Sequence, residues 1–88
     1  MSIEFDPAKD KANLAAHGVS LALAGELDWD AALVWVDDRF EYEELRMIAL
    51  APASSILYFV AFVERGDTRR VISLRRATRE VTHYVESI

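Results

Sequence analysis

The segment Ile56 to Val63 is built entirely of apolar and aromatic residues, and the turn and second strand beyond it are as informative as the run itself. Aromatic and β-branched side chains favour extended backbone, and a run without polar alternation reads as a central strand buried on both faces. Glu64-Arg65-Gly66-Asp67-Thr68 then supplies a turn with glycine, and Arg69 to Leu74 completes an antiparallel hairpin. A strand buried on both sides needs neighbours in its own plane and cover above and below it. The rest of an 88-residue chain has to provide them, which leaves room for one domain around one core.

Asp6-Pro7 signals a helix start, because aspartate accepts hydrogen bonds from the free first-turn N–H groups and proline suits the first helical position. That helix should stop at His17-Gly18, with Gly18 as the left-handed cap. Ser20 resembles the N-cap of a second short helix from Leu21 to about Leu27, weakened by Gly25. Leu33 to Val36 and Arg46 to Leu50 are further strands, and Ala51-Pro52-Ala53-Ser54-Ser55 has loop-like composition. Thr78 is placed to cap a last helix reaching Tyr84. The expectation is an α+β domain of order α-α-β-β-β-β-α: two N-terminal helices, a four-stranded antiparallel meander sheet and a C-terminal helix. Strand alternation puts Ile72 and Leu74 on the core face with Arg70 and Arg76 flanking them, and Arg69, Ser73 and Arg75 on the open face.

Charge is unevenly distributed. The chain carries a net charge of −5, yet residues 65–80 hold six arginines against Asp67 and Glu80, a local +4 that leaves −9 for the remainder. A cationic island on an anionic body suits one anionic ligand, and RNA phosphate and an acidic protein partner compete for that role. Cysteine is absent, which excludes disulfides, thiolate metal sites and cysteine nucleophiles. The two histidines, His17 and His83, are far apart in sequence, a poor start for a zinc site, so no cofactor is expected. There is no signal-peptide pattern and no apolar run near the roughly 20 residues of a membrane span, so a cytoplasmic location without membrane contact is expected.

The ordered set Glu4-Phe5-Asp6-Pro7-Ala8-Lys9, Asn13-Leu14, His17-Gly18-Val19-Ser20, Asp38-Arg39, Glu44-x-Arg46, Ile48-Ala49-Leu50, Glu64-Arg65-Gly66-Asp67, Arg70 to Thr78 and Tyr84 resembles the BrnT toxins over nearly the whole chain. The resemblance implies a RelE-like fold and a toxin of a bacterial type II toxin–antitoxin pair, acting as a metal-independent ribonuclease that halts translation. It further implies neutralisation by a BrnA-like ribbon-helix-helix antitoxin, with DNA contacted only through the toxin–antitoxin complex. A homodimer is a further possibility. The chain departs from the family pattern at Phe5 (usually Trp) and at Glu43 and Ala51 (often Gly). Its last helix is also less basic, with Val81, Thr82, His83 and Val85 where relatives carry cations, which leaves fewer phosphate contacts.

Metal-free RNA cleavage needs a base for the 2′-OH, donors for the phosphorane and an acid for the leaving 5′-oxygen. Arg75, with Arg46 from a neighbouring strand, is the first choice for phosphate stabilisation, since the guanidinium fork matches two phosphoryl oxygens. Against this, Arg46 is also placed for an ion pair with Glu44 or Glu64. His17 suits acid or base chemistry by its near-neutral intrinsic pKa, or equally a helix C-terminus that favours a cation. Glu44 is an alternative base. Tyr84 is a proton donor or base-stacking ring, or a packing anchor. Lys9, Arg39, Arg65, Arg69, Ser73, Arg76 and Arg79 complete the expected RNA-binding set, although Arg65 and Arg39 have ready salt-bridge partners in Asp67 and in Asp37 or Asp38. Trp29, Trp35, Tyr58 and Phe59 read as core. Set against a ribonuclease are a weakened homologue that holds its antitoxin and serves as operon co-repressor, and a purely structural dimerisation domain.

Overall fold

The computed structural model describes residues 1–39, 41 and 43–87. Its elements run β1 (Ser2–Glu4), α1 (Pro7–His17), 3₁₀ helices Leu21–Glu26 and Trp29–Ala31, β2 (Leu33–Val36), β3 (Met47–Ala53), β4 (Ile56–Arg65), β5 (Thr68–Arg76) and α2 (Glu80–Ser87). The sheet order is β1-β5-β4-β3-β2, antiparallel except for the parallel pair β1–β5.

The molecule is α+β, but the expected architecture is corrected in its parts. The sheet has five strands and is mixed, because the N-terminal residues Ser2–Glu4 pair in parallel with Thr68–Arg70. The second N-terminal helix is a 3₁₀ helix: Ser20 Oγ accepts from Ala22 N at 3.1 Å, as an N-cap does, but six residues containing Gly25 do not sustain an α-helix. Asp10 of α1 anchors this segment, accepting from Ser20 Oγ at 2.8 Å and Leu21 N at 2.7 Å. The loop expected at residues 51–55 begins later, since β3 continues through Pro52 to Ala53. Proline is tolerated there because β2 pairs no further along β3 than Leu50, so that end of β3 is an edge.

The start of α1 obeys its local chemistry. Asp6 Oδ1 accepts from Ala8 N at 2.8 Å, Pro7 opens the helix, and Gly18 closes it at φ 74° while donating to Leu14 O at 2.9 Å. The hairpin β4–β5 turns on Gly66, also at positive φ.

The register of β5 is the correction with most consequence for function. Ala61 pairs with Ser73 but Phe62 pairs with Val71, so Ile72 is an extra residue and the strand is bulged there. Alternation is reset across the bulge. Val71 and Leu74, both fully buried, therefore share the face of Tyr58, Val60 and Phe62, against which Leu21, Ala24 and Leu27 pack. Arg69 and Arg76 go with that face, whereas Arg70, Ser73 and Arg75 share the opposite one with Arg65 and Phe59. The sequence expectation had Arg69 and Arg70 the other way round.

Asn13 completes the packing of β5. Only 6% exposed, its side chain donates to Leu74 O at 2.7 Å and Val19 O at 2.9 Å and accepts from Leu74 N at 3.1 Å. The amide thus takes the place of a neighbouring strand where β1 has ended. Among the described residues no helix is long and apolar enough to cross a membrane.

Candidate functional site

The sheet face opposite the 3₁₀ helices carries two hollows. The first, of about 310 Å³, is lined by Lys9 from α1, Glu43, Glu44 and Arg46 from the β3 approach, and Val63, Arg65, Arg70 and Ile72 from the hairpin. Four cations against two acids give its lining a net +2. Arg46 reaches this face because it stands two residues before Ile48, and Arg65 and Arg70 reach it because alternation from Val63 puts them there. A shallower hollow beside it, lined by His17, Ala16, Asn13 and Ala12, shares Lys9 and Ile72 with the first. His17 therefore lies next to the cationic hollow, on the exposed last turn of α1.

Glu44 and Arg65 form a two-pronged ion pair within the first hollow, with Arg65 Nε 3.0 Å from Oε2. That hydrogen bond holds the Glu44 carboxyl below the usual carboxylate range and pushes the Arg65 guanidinium up. Arg65 thus stabilises the ionised form of Glu44. Arg65 turns to Glu44, with Glu4 at 4.0 Å, and not to the sequence-adjacent Asp67. Arg70 pairs with Glu4 at 3.3 Å.

The second hollow lies at the other end of the same face. Trp35, Ile48 and Phe59 form its apolar part and Arg39, Arg75, Arg79, Asp37, Asp38 and Glu80 its polar walls. Arg75 Nη2 is 2.8 Å from Glu80 Oε2, and its guanidinium stacks 4.2 Å above the Phe59 ring. Glu80 also accepts from Thr78 N at 3.0 Å. These donors, the Arg75 hydrogen bond first, pull the Glu80 carboxyl down to about 2. Asp37, 5% exposed, receives Arg39 Nε at 2.8 Å and Nη2 at 3.0 Å, so the expected Arg39 salt bridge is with Asp37.

The expected site residues are therefore divided. Lys9, Glu44, Arg46 and Arg65 come together, with His17 adjoining; Arg75, Arg79 and Arg39 gather elsewhere. Arg69 lies on the opposite face, stacked 4.4 Å over Trp29 and 5.1 Å over Phe62 and paired with Glu64 at 3.0 Å. Arg76 is exposed beside Tyr58 on that same face, and Ser73 faces the open side opposite Ala61. Tyr84 donates its hydroxyl to Ala31 O at 2.7 Å, fastening α2 to the end of the second 3₁₀ helix. Arg70 and Glu80 were missed by sequence reading. A bulge hides the first, and the Thr78-x-Glu80 spacing, one residue short of a capping box, gives no helix-start signal for the second. Among the described residues no group of three or more His, Asp or Glu side chains is placed to hold a metal ion.

Fold and site together define a small α+β protein with a cationic hollow on one sheet face. The family model described as "Ribonuclease toxin, BrnT, of type II toxin-antitoxin system" matches residues 5–80, and the chain belongs to that family. It is accordingly a type II ribonuclease toxin by family, which implies an RNA substrate and an antitoxin partner. No curated protein matches the chain.

Proposed function

We propose that the protein is a metal-independent RNA endonuclease whose phosphate site is the hollow lined by Lys9, Arg46, Arg65 and Arg70. The observation that carries this is a lining charge of +2 on a chain of net charge −5. The ribose 2′-OH attacks the adjacent phosphorus, and Glu44, on the wall of the same hollow, takes its proton. Arg46 and Arg70 neutralise the phosphorane oxygens. The P–O5′ bond breaks, the 5′-oxygen takes a proton from His17 in the adjoining hollow, and a 2′,3′-cyclic phosphate remains. Arg75, engaged by Glu80, positions the β5–α2 junction and makes no contact with the reacting phosphate. A ribbon-helix-helix antitoxin neutralises the toxin in the cytoplasm, and DNA is contacted through that complex.

The experiment is cleavage of a synthetic RNA, free of ribosomes and in EDTA, by the purified protein. Cyclic-phosphate ends are expected, with Arg46→Ala slower by roughly a hundredfold. Loss of cleavage in EDTA removes the metal-free mechanism, and an Arg46→Ala protein as active as the parent removes the hollow.

A second reading has its own observation. Arg65, Arg69, Arg70 and Arg75 are each already paired with a glutamate, and α2 contains no lysine or arginine. Such a surface suits a weakened homologue that holds its antitoxin and acts as operon co-repressor. Overexpression without the antitoxin separates the two: growth arrest favours the nuclease, and normal growth with retained antitoxin binding favours the module.

A further inference from the structure

The second hollow differs from the first in charge and in chemistry. Three arginines face three carboxylates, so its lining is neutral, and its floor is Trp35, Phe59 and Ile48. A phosphate gains little from a neutral lining, whereas a flat, uncharged heterocycle bearing amino and carbonyl groups gains from both the rings and the polar rim. Trp35 is half-buried, and neither aromatic neighbour lies parallel to its indole. Phe59 meets it at 72° and His83 at 89°, with centroids 6.5 and 5.8 Å away. Arg79 stands exposed at the rim with no ion pair among the described residues.

One strand links the two hollows. Arg46 lines the first and Ile48 the second, two residues apart on one strand and on one face, a spacing of about 7 Å. Arg46 O also accepts from Asp37 N at 2.8 Å, which joins the rim of one hollow to the rim of the other.

We propose that the aromatic hollow is a nucleobase subsite, receiving one base of single-stranded RNA against Trp35 and the Arg79 guanidinium while a neighbouring phosphate occupies the cationic hollow. The proposal rests on the ribonuclease reading for the identity of the strand. Stacking and rim hydrogen bonds make the subsite a source of base preference that the phosphate hollow cannot supply.

The test is fluorescence anisotropy with short labelled 2′-O-methyl oligoribonucleotides, which lack the attacking hydroxyl, alongside cleavage of the unmodified strand. Moving a single abasic position along the strand should reveal one position where affinity falls by roughly tenfold. Arg79→Ala and Trp35→Leu should remove that dependence on the base and leave the affinity of the abasic strand unchanged. If Trp35→Leu does not fold, the abasic series on the unaltered protein and the exposed Arg79→Ala variant still decide. An abasic strand that binds as tightly as the intact one at every position overturns the subsite and leaves the hollow as a protein contact, even if cleavage persists. Base-dependent binding without cleavage upholds the subsite and removes the nuclease instead.

Discussion

Arg75 and Glu80 meet across the break between β5 and α2, with Nη2 2.8 Å from Oε2 and the guanidinium lying on Phe59. No residue of α2 is fully buried, so this pair, the Tyr84 hydroxyl and the Trp35–His83 contact carry much of its attachment. Glu80 has its pKa lowered in the fold, from 4.5 to about 2. A depressed carboxylate stabilises the fold above its unfolded pKa and loses that contribution as pH falls through the folded value. Urea midpoints should therefore decline between about pH 4.5 and 2 in part through Glu80. Glu80→Gln should be less stable by about 1 kcal/mol at pH 7 and show a shallower decline across that window.

Asn13 is expected to be the most sensitive polar position. Asn13→Ala leaves Leu74 N, Leu74 O and Val19 O without their buried partner and should cost about 2–3 kcal/mol in chemical denaturation. Asn13→Asp keeps the acceptor for Leu74 N but loses both donated bonds, so it should not restore stability.

Tyr84→Phe separates anchoring from catalysis. Its hydroxyl is hydrogen-bonded to Ala31 O, so the variant should lose about 1 kcal/mol of stability with cleavage unchanged. A large fall in the cleavage rate with the stability intact would return Tyr84 to the reacting groups.

Salt dependence reports phosphate contacts. Lys9 is an exposed cation on the wall of the first hollow, and Lys9→Ala should reduce the slope of log affinity against log salt by about 0.7 for a single strand. An unchanged slope would mean that Lys9 only solvates its helix.

Features with a local cause were legible in sequence: the Asp6-Pro7 start, the Gly18 stop, the Gly66 hairpin and the long β4 run. Those that depend on distant neighbours were not. Ser2–Glu4 is too short to show a period, and its strand character comes from Thr68–Arg70 alone. The partner of Arg65 was misread for the same reason, since it turns to Glu44 across the fold while Asp67 lies closer in sequence, whereas the local Arg39–Asp37 pair was legible. Lys9, Glu44, Arg46 and Arg65 were nevertheless chosen from chemistry and family resemblance, and the fold brings them to one hollow.

The extra residue at Ile72 is a spare in the hairpin's count. Shortening β5 by that one residue leaves every arginine in place along the chain and the net charge untouched. It would also keep every pair of the β4–β5 ladder, with Phe62–Val71 next to Ala61–Ser73, and each arginine on its present side of the sheet. A one-residue deletion at position 72 should accordingly be tolerated far better than one within β4, where no spare residue makes up the count.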